Sequence, residues 1–190
     1  MFIEKSETLQ CLINAFAGES QARNRYTFYS KIAKDEGYEQ ISQIFLMISN
    51  NELEHAKLFY KRIPPNKTYK VNGQYPFFLG TTYENLKSAA LGEKEEWDKI
   101  YKNSAQIAKS DGFDDVARLF NHILEIEKHH AYIFETLAEN INSGTVFKKN
   151  EISQWICLKC GYTQISKEAP CKCPVCKHDQ GYFQTYNEKF

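Results

Sequence analysis

Apolar residues recur along the first three quarters of the chain at alternating steps of three and four, the spacing that gathers side chains on one side of an α-helix. The first stripe is Leu9, Leu12, Phe16, Glu19, Arg23, Tyr26 and Ser30. It predicts a helix from near Ser6 to just before Asp35-Glu36-Gly37, with Gly37 as its C-terminal stop. The second stripe is Ile41, Phe45, Ile48, Glu52, His55 and Phe59, closed off by Pro64-Pro65. The third opens on a capping box, Thr81 to Glu84, and carries Leu86, Ala89, Glu93, Glu96, Ile100, Ser104 and Ile107. The fourth follows Gly112 with Val116, Phe120, Ile123, Glu127, His130, Phe134, Leu137 and Ile141. Each inward stripe is interrupted near its middle by Glu or His.

The connections set the topology. Short turns at Gly37 and Gly112 make helices one and two, and three and four, into antiparallel hairpins. About 18 residues, Ile63 to Gly80, lie between the hairpins, enough to run the length of the bundle as in a ferritin-like fold with one long crossover. The halves also repeat. Phe45, Glu52 and His55 lie 8, 15 and 18 residues after Gly37, and Phe120, Glu127 and His130 lie at the same offsets after Gly112. Gly18-Glu19 likewise answers Gly92-Glu93, which implies a pseudo-two-fold site at the bundle centre. Glu96 breaks the repeat, because Ala22 stands in the equivalent place. The candidate ligands are thus seven: Glu19, Glu52, His55, Glu93, Glu96, Glu127 and His130.

Their chemistry follows from their position. Glu-x-x-His occurs twice, at Glu52/His55 and Glu127/His130, and residues three apart share a helix face. Glu54, Glu95 and Glu125 fall off the stripes and read as surface residues. The five inward glutamates cannot sit ionised in a core without compensation, since each costs several kcal/mol. A salt-bridge network has only Arg23 as an inward cation, whereas two divalent metals would cancel about four of the five charges. Oxygen-rich sites with one imidazole per metal suit iron or manganese better than zinc. Two such pairs with single glutamates from two other helices are the ligand set of di-iron carboxylate bundles. His122 and His129 point about 100° off their stripe, and Cys11 reads as a half-buried thiol. Tyr26 reads as core whose hydroxyl is within reach of a ligand carboxylate.

After Ile141-Asn142-Ser143-Gly144 the helical pattern stops, which divides the chain into a bundle over residues 1–146 and a small domain over 147–190. There Cys157-Leu158-Lys159-Cys160 and Cys173-Pro174-Val175-Cys176 form two knuckles about a dozen residues apart, the pattern of a tetrahedral four-thiolate site. So short a segment buries little core, so metal binding provides much of its folding free energy. Alone the knuckles favour zinc; beside a di-metal bundle that needs electrons, iron is the better fit. Cys171 is extra, and His178 is expected to be exposed. Lys+Arg and Asp+Glu both number 24, so no basic excess points to nucleic acid. No apolar run approaches the roughly 20 residues of a membrane span. The start lacks the pattern of a signal peptide. Paired knuckles without a leader suit a reducing, cytoplasmic setting.

The stretch Ala15-Phe16-Ala17-Gly18-Glu19-Ser20-Gln21-Ala22-Arg23-Asn24-Arg25-Tyr26, the two Glu-x-x-His motifs, Gly92-Glu93-x-x-Glu96 and the knuckled tail together resemble the rubrerythrin family, over essentially the whole chain. Lys177, after the last knuckle, departs from the small residue common there. The resemblance implies a ferritin-like di-iron bundle followed by a rubredoxin-like iron domain, and reduction of hydrogen peroxide to water. It implies that Glu52 and Glu127 bridge two non-haem irons, and that Glu93 and His130 complete one. Glu19 would hold the other, which exchanges His55 when reduced for Glu96 when oxidised. Tyr26 would support a ligand, and Cys157, Cys160, Cys173 and Cys176 would hold a single electron-relaying iron. It further implies a homodimer in which that iron serves the partner's site. No Gly-rich nucleotide loop is present, so a separate protein must donate electrons. Alternatives on the same residues are a ferroxidase or dioxygen reductase, and a metal-storage or zinc-ribbon protein.

Overall fold

The computed structural model describes residues 2–186, and its bundle has the predicted connectivity. Helix α1 spans Glu7–Asp35, α2 Glu39–Tyr60, α3 Thr82–Glu95, α4 Tyr101–Ser110 and α5 Asp114–Asn142. Ser6 caps α1 by accepting from Leu9 N, and the Thr81/Glu84 capping box opens α3. The two hairpin turns are built alike. Gly37 and Gly112 adopt φ +83° and +86°, a left-handed conformation that glycine enters without the usual Cβ penalty. In each, the following residue reaches back to an open carbonyl, Tyr38 N to Ala33 O at 2.7 Å and Phe113 N to Ala108 O at 2.8 Å. These bonds close the helix end in a Schellman motif.

The hairpins clasp each other reciprocally. Thr8, through N and Oγ1, donates to Asp111 Oδ2 at 3.0 and 2.7 Å, and Thr82 N donates to Glu36 Oε2 at 3.0 Å. Each hairpin's turn thus places a carboxylate on the open amides at the start of the other's first helix, where the helix dipole favours negative charge.

α3 and α4 are one helix interrupted by a π-helical turn, Glu96–Ile100. Its origin is a single added residue. The spacing from Glu19 to Glu93 is 74, but from Tyr26 to Tyr101 and from Gly37 to Gly112 it is 75. A π turn absorbs one residue without ending the helix, so the buried face advances by one position beyond Glu96. Tyr101, Ser104, Ala105 and Ala108 are buried there, whereas Ile100 is 44% exposed. This corrects the inward placement expected of Ile100 and Ile107.

The crossover, residues 61–81, runs alongside α1 in the same direction. Lys70 O accepts from Gln10 Nε2, Asn72 N donates to Asn14 Oδ1, Pro76 O accepts from Gln21 Nε2 and Phe78 O accepts from Tyr29 OH, at 2.6–3.1 Å. Eight extended steps at about 3.3 Å cover the same roughly 26–28 Å as the nineteen helical steps from Gln10 to Tyr29. Two apolar cores result. Tyr26, Tyr29, Phe45, Leu86 and Phe134 fill the end near the Gly37 turn, and Leu12, Phe59, Tyr101 and Phe120 fill the other.

Beyond α5, β1 (Lys148–Cys157), β2 (Thr163–Glu168) and β3 (Phe183–Thr185) form an antiparallel sheet in the order β2-β1-β3. It packs Trp155 and Phe183 around Cys157 and Cys173. This lobe rests on the Gly37 turn. Tyr38 stacks on Phe147 with centroids 6.0 Å apart, and a Cβ on Gly181 would stand 2.1 Å from Gly37 O. Among the described residues no helix is long and apolar enough to cross a membrane.

Gly112→Ala leaves open space unfilled but forces an L-residue into the left-handed region. We expect a loss of about 1–2 kcal/mol, read as a lower urea midpoint at unchanged slope and equal metal content.

Candidate metal centres

Between the two apolar cores the four inward glutamates and both histidines of the repeats converge. Glu19, Glu52, His55 and Glu127 form one cluster and Glu52, Glu93, Glu127 and His130 a second, the ligand atoms of each lying within 4.8 Å of one another. Glu52 and Glu127 belong to both. His55 Nδ1 lies 2.9 Å from Glu52 Oε2 and 2.9 Å from Glu127 Oε1. His130 Nδ1 lies 2.8 Å from Glu127 Oε2 and 3.1 Å from Glu52 Oε1. The imidazole planes are 24° apart with centroids separated by 5.9 Å, so the clusters sit side by side about the pseudo-two-fold.

Two tyrosines complete the symmetry. Tyr26 OH donates to Glu93 Oε1, as its place on the first stripe suggested, and Tyr101 OH donates to Glu19 Oε1 at 2.6 Å. The second bond was missed in the sequence because the π turn moves Tyr101 off the expected stripe. The change of repeat spacing from 74 to 75 is the signal that would have found it. Burial, then the neighbouring carboxylates, raises both tyrosines well above the ordinary phenol range, so both remain donors.

The acids are too many for the protons available. Burial, then the charge of Glu52, pushes Glu19 up to about 7, and burial with the surrounding carboxylates raises Glu93 and Glu96 well above the usual range. Burial opposes charge on His130, yet its bonds with Glu127 and Glu52 outweigh this and carry it up to about 9; His55 rises for the same reasons. Glu19 Oε2 and Glu93 Oε2 are buried without a hydrogen-bond partner, and Glu52 Oε1 and Glu127 Oε1 meet only an imidazole nitrogen, at 3.1 and 2.9 Å, outside hydrogen-bond geometry. Buried carboxylate oxygens left so, around two imidazoles, are what a pair of divalent cations would satisfy. The residues fit the metals.

The remaining expectations divide. Glu96 is half-buried and belongs to neither cluster. It lies on the wall of a cleft of about 810 Å³ between α1, the crossover and the α3–α4 helix, with Tyr75 and Tyr101 nearby. Arg23, expected to face inward, is only half-buried, whereas Arg25 is 7% exposed. A step of six from Glu19, rather than four, brings the cation back toward α3. His122 and His129 are exposed and Cys11 is half-buried, as expected; His178 is half-buried, not exposed, because its ring meets Tyr182 edge-on.

In the lobe, Cys157 and Cys176 Sγ are 3.6 Å apart, as are Cys160 and Cys173. That is far beyond a disulfide and close to the roughly 3.8 Å edge of a tetrahedron with bonds of about 2.3 Å. Burial would raise Cys173, but amide N–H groups of Cys176 and Val175 prevail and bring it down to about 6, favouring the thiolate that ligates metal. Cys171 is exposed and outside the cluster.

A one-crossover helical bundle with two carboxylate–imidazole clusters at its centre, followed by a tetrathiolate ribbon, defines a di-iron carboxylate protein with a rubredoxin-like lobe. The rubrerythrin family profile matches residues 10–138 and 84–153, and that of the rubrerythrin rubredoxin-like domain matches 155–184. Rubrerythrin-1 of Clostridium acetobutylicum is 46% identical, over 99% of this chain and 98% of that protein. A putative rubrerythrin of Methanocaldococcus jannaschii is 45% identical over 99% and 97%. A nigerythrin solved in a mixed-valence state superimposes with a TM-score of 0.64 at 27% identity, over 94% of this chain and 86% of that one. The chain belongs to the rubrerythrin family. It carries side chains for a carboxylate-bridged di-iron site and a four-cysteine iron site.

Without metals this centre should weaken as pH rises. Glu19 keeps a proton in the folded chain from its ordinary 4.5 up to about 7, and His130 keeps one from 6.5 up to about 9. In both windows the folded chain binds more protons than the unfolded one, so stability falls with increasing pH. Thermal melts of the metal-free protein, followed by helical circular dichroism, should drop steadily between pH 5 and 9, with ferrous iron restoring most at the upper end. A flat profile would contradict the arrangement.

Proposed function

We propose that this protein is an electron-donor-dependent peroxidase that reduces hydrogen peroxide to water, acting in oxidative-stress defence. The observation that carries the reading is the inequality of two otherwise matched clusters. His55 stands inside the first cluster, and Glu96, the acid without a counterpart in the other hairpin, waits just outside it on the cleft wall. Two ligands are therefore available for one metal position, one neutral and one anionic. A ferric ion favours the anionic oxygen, so His55 would serve the reduced state and Glu96 the oxidised one.

The other residues take fixed roles. Glu52 and Glu127 each approach both imidazoles and would be shared by the two metals. Glu93 and His130 would complete the set for one, and Glu19 would hold the other. When bound, the iron pair supplies the Lewis acidity and two electrons that cleavage of the O–O bond requires. Tyr26 and Tyr101 hold Glu93 and Glu19 in orientation through their hydroxyl protons. The cleft admits the substrate along a wall formed partly by Glu96 and Tyr101.

The placement of the lobe supports a homodimer that relays electrons between subunits. The lobe sits on the Gly37 turn, and the fifteen residues from there to Glu52 span roughly 22 Å of helix. In the proposed homodimer a partner's lobe, loaded with iron and fed by a separate donor protein, would supply the electrons instead. The free thiols of both knuckles suit a cytoplasmic protein.

Glu96→Ala should keep two irons in the bundle and slow oxidation of the reduced protein by peroxide about tenfold, a barrier change of about 1.4 kcal/mol. Unchanged stopped-flow rates would sink the switching role. Reduced wild-type protein reacting faster with dioxygen than with peroxide would favour an oxidase instead. Mixing a Cys157→Ser chain with a Glu127→Ala chain should restore turnover that neither has alone. No recovery in verified mixed dimers would remove the inter-subunit relay.

A further inference from the structure

Arg25 is a buried cation whose engagement is incomplete. Its Nη1 donates to Gln21 Oε1 and, at 3.4 Å, to Pro76 O, and its guanidinium carbon is 5.4 Å from the Tyr26 ring centroid. Nη2 comes within 3.6 Å of the place where a Cβ on Gly92 would stand. Nε is buried with no partner. A guanidinium held at 7% exposure with an unsatisfied donor is costly unless a countercharge lies close by.

Two acids share the cleft wall on the helix that carries Gly92, the exposed Glu95 and the half-buried Glu96, and only Glu96 is withdrawn from solvent. Glu96 lies four residues after Gly92, one turn on along the same helix face, so the Arg25 guanidinium that reaches the Gly92 position at 3.6 Å stands beside the turn from which Glu96 projects. The space that receives the carboxylate is also defined. A Cβ on Gly18 would lie 3.7 Å from Glu96 Oε1 and 3.5 Å from Tyr75 Cε1. Tyr75 is itself pinned by donating its hydroxyl to Asn14 O at 3.1 Å. A glycine on α1 and a tyrosine from the crossover therefore form a recess at the Glu96 carboxylate, and the buried Arg25, about two turns further along α1, lines the same cleft.

We propose that Arg25 is a positioning residue for Glu96: it stabilises the carboxylate in the recess beside Gly18 and Tyr75 whenever that carboxylate is not bound to metal. The inference rests on the reading of Glu96 as one of two alternative ligands. Its consequence is a bias on the redox equilibrium. With Arg25 neutralised, the withdrawn carboxylate loses its countercharge and the metal-bound arrangement gains in proportion. Because that arrangement belongs to ferric iron, the midpoint potential of the di-iron pair falls.

The test is a potentiometric titration of iron-loaded, full-length protein, with iron content and helicity matched beforehand. The variants are Arg25→Gln, Arg25→Lys and Gly18→Val, each in the wild-type and Glu96→Gln backgrounds. Arg25→Gln should shift the potential downward and Arg25→Lys should largely recover it. Gly18→Val, which fills the recess without touching the cation, should shift it in the same direction, and Arg25→Met, which removes the charge at similar length, takes the place of Arg25→Gln if that variant fails to assemble. With Glu96→Gln in place, all three should have little further effect, since the coupling is then removed. Equal downward shifts in both backgrounds would overturn the proposal by making Arg25 a general charge. An Arg25→Lys protein indistinguishable from Arg25→Gln would overturn it by making the role one of packing. If Glu96→Gln alone changes neither the potential nor the rate with peroxide, the alternative-ligand reading fails and this inference with it.

Discussion

Negative charge confined between two apolar layers is the condition to which the other parts of the bundle respond. Four carboxylates from four helical segments reach the same small volume, and burial, then the charge of neighbouring carboxylates, raises the proton affinity of Glu19 and Glu93. Two tyrosines donate to the outer pair and two imidazoles face the inner pair. Those contacts still leave one oxygen on each glutamate without a hydrogen bond of good geometry. The aromatic layers above and below exclude water that could otherwise fill the gap. Metal ions are the remaining source of compensation, and they explain why so acidic a centre lies in so apolar a setting.

The near-symmetry has a physical source in the reciprocal caps. Thr8 with Asp111, and Thr82 with Glu36, are the same interaction made twice in opposite senses. They fix the two hairpins about an axis that passes between His55 and His130. The single added residue at the π turn departs from that axis on one side only. Upstream of it, Glu93 keeps its match with Glu19; downstream, Tyr101 keeps its match with Tyr26. The turn absorbs the mismatch, and Glu96 stands at its first position, where the helix is free to present a carboxylate that the other hairpin has no equivalent for.

Much of this was legible because helical spacing and burial carry the same information. On α2, every residue of the expected stripe from Ile41 to Phe59 is buried, and the offsets after Gly37 and Gly112 placed Glu52, His55, Glu127 and His130 correctly. The failures are just as local. A 3.6-residue period cannot register a π turn, so Ile100 and Ile107 were assigned to the face that Tyr101, Ala105 and Ala108 occupy. The same period placed Arg23 inward, although a long side chain at Arg25 reaches the cleft by curling along α1. The docking of the crossover was not legible at all. It depends on backbone carbonyls meeting Gln10, Gln21 and Tyr29, and such contacts leave no periodic trace.

The division of ligands between the hairpins has an implication for biogenesis. Glu19, Glu52 and His55 come from one hairpin, and Glu93, Glu127 and His130 from the other, yet each cluster borrows a shared carboxylate from across the interface. A nascent chain that has completed only its first hairpin can therefore offer neither ion a full coordination sphere. Either coordination set is complete only once the two hairpins have met, which ties metal affinity to the closing of the bundle.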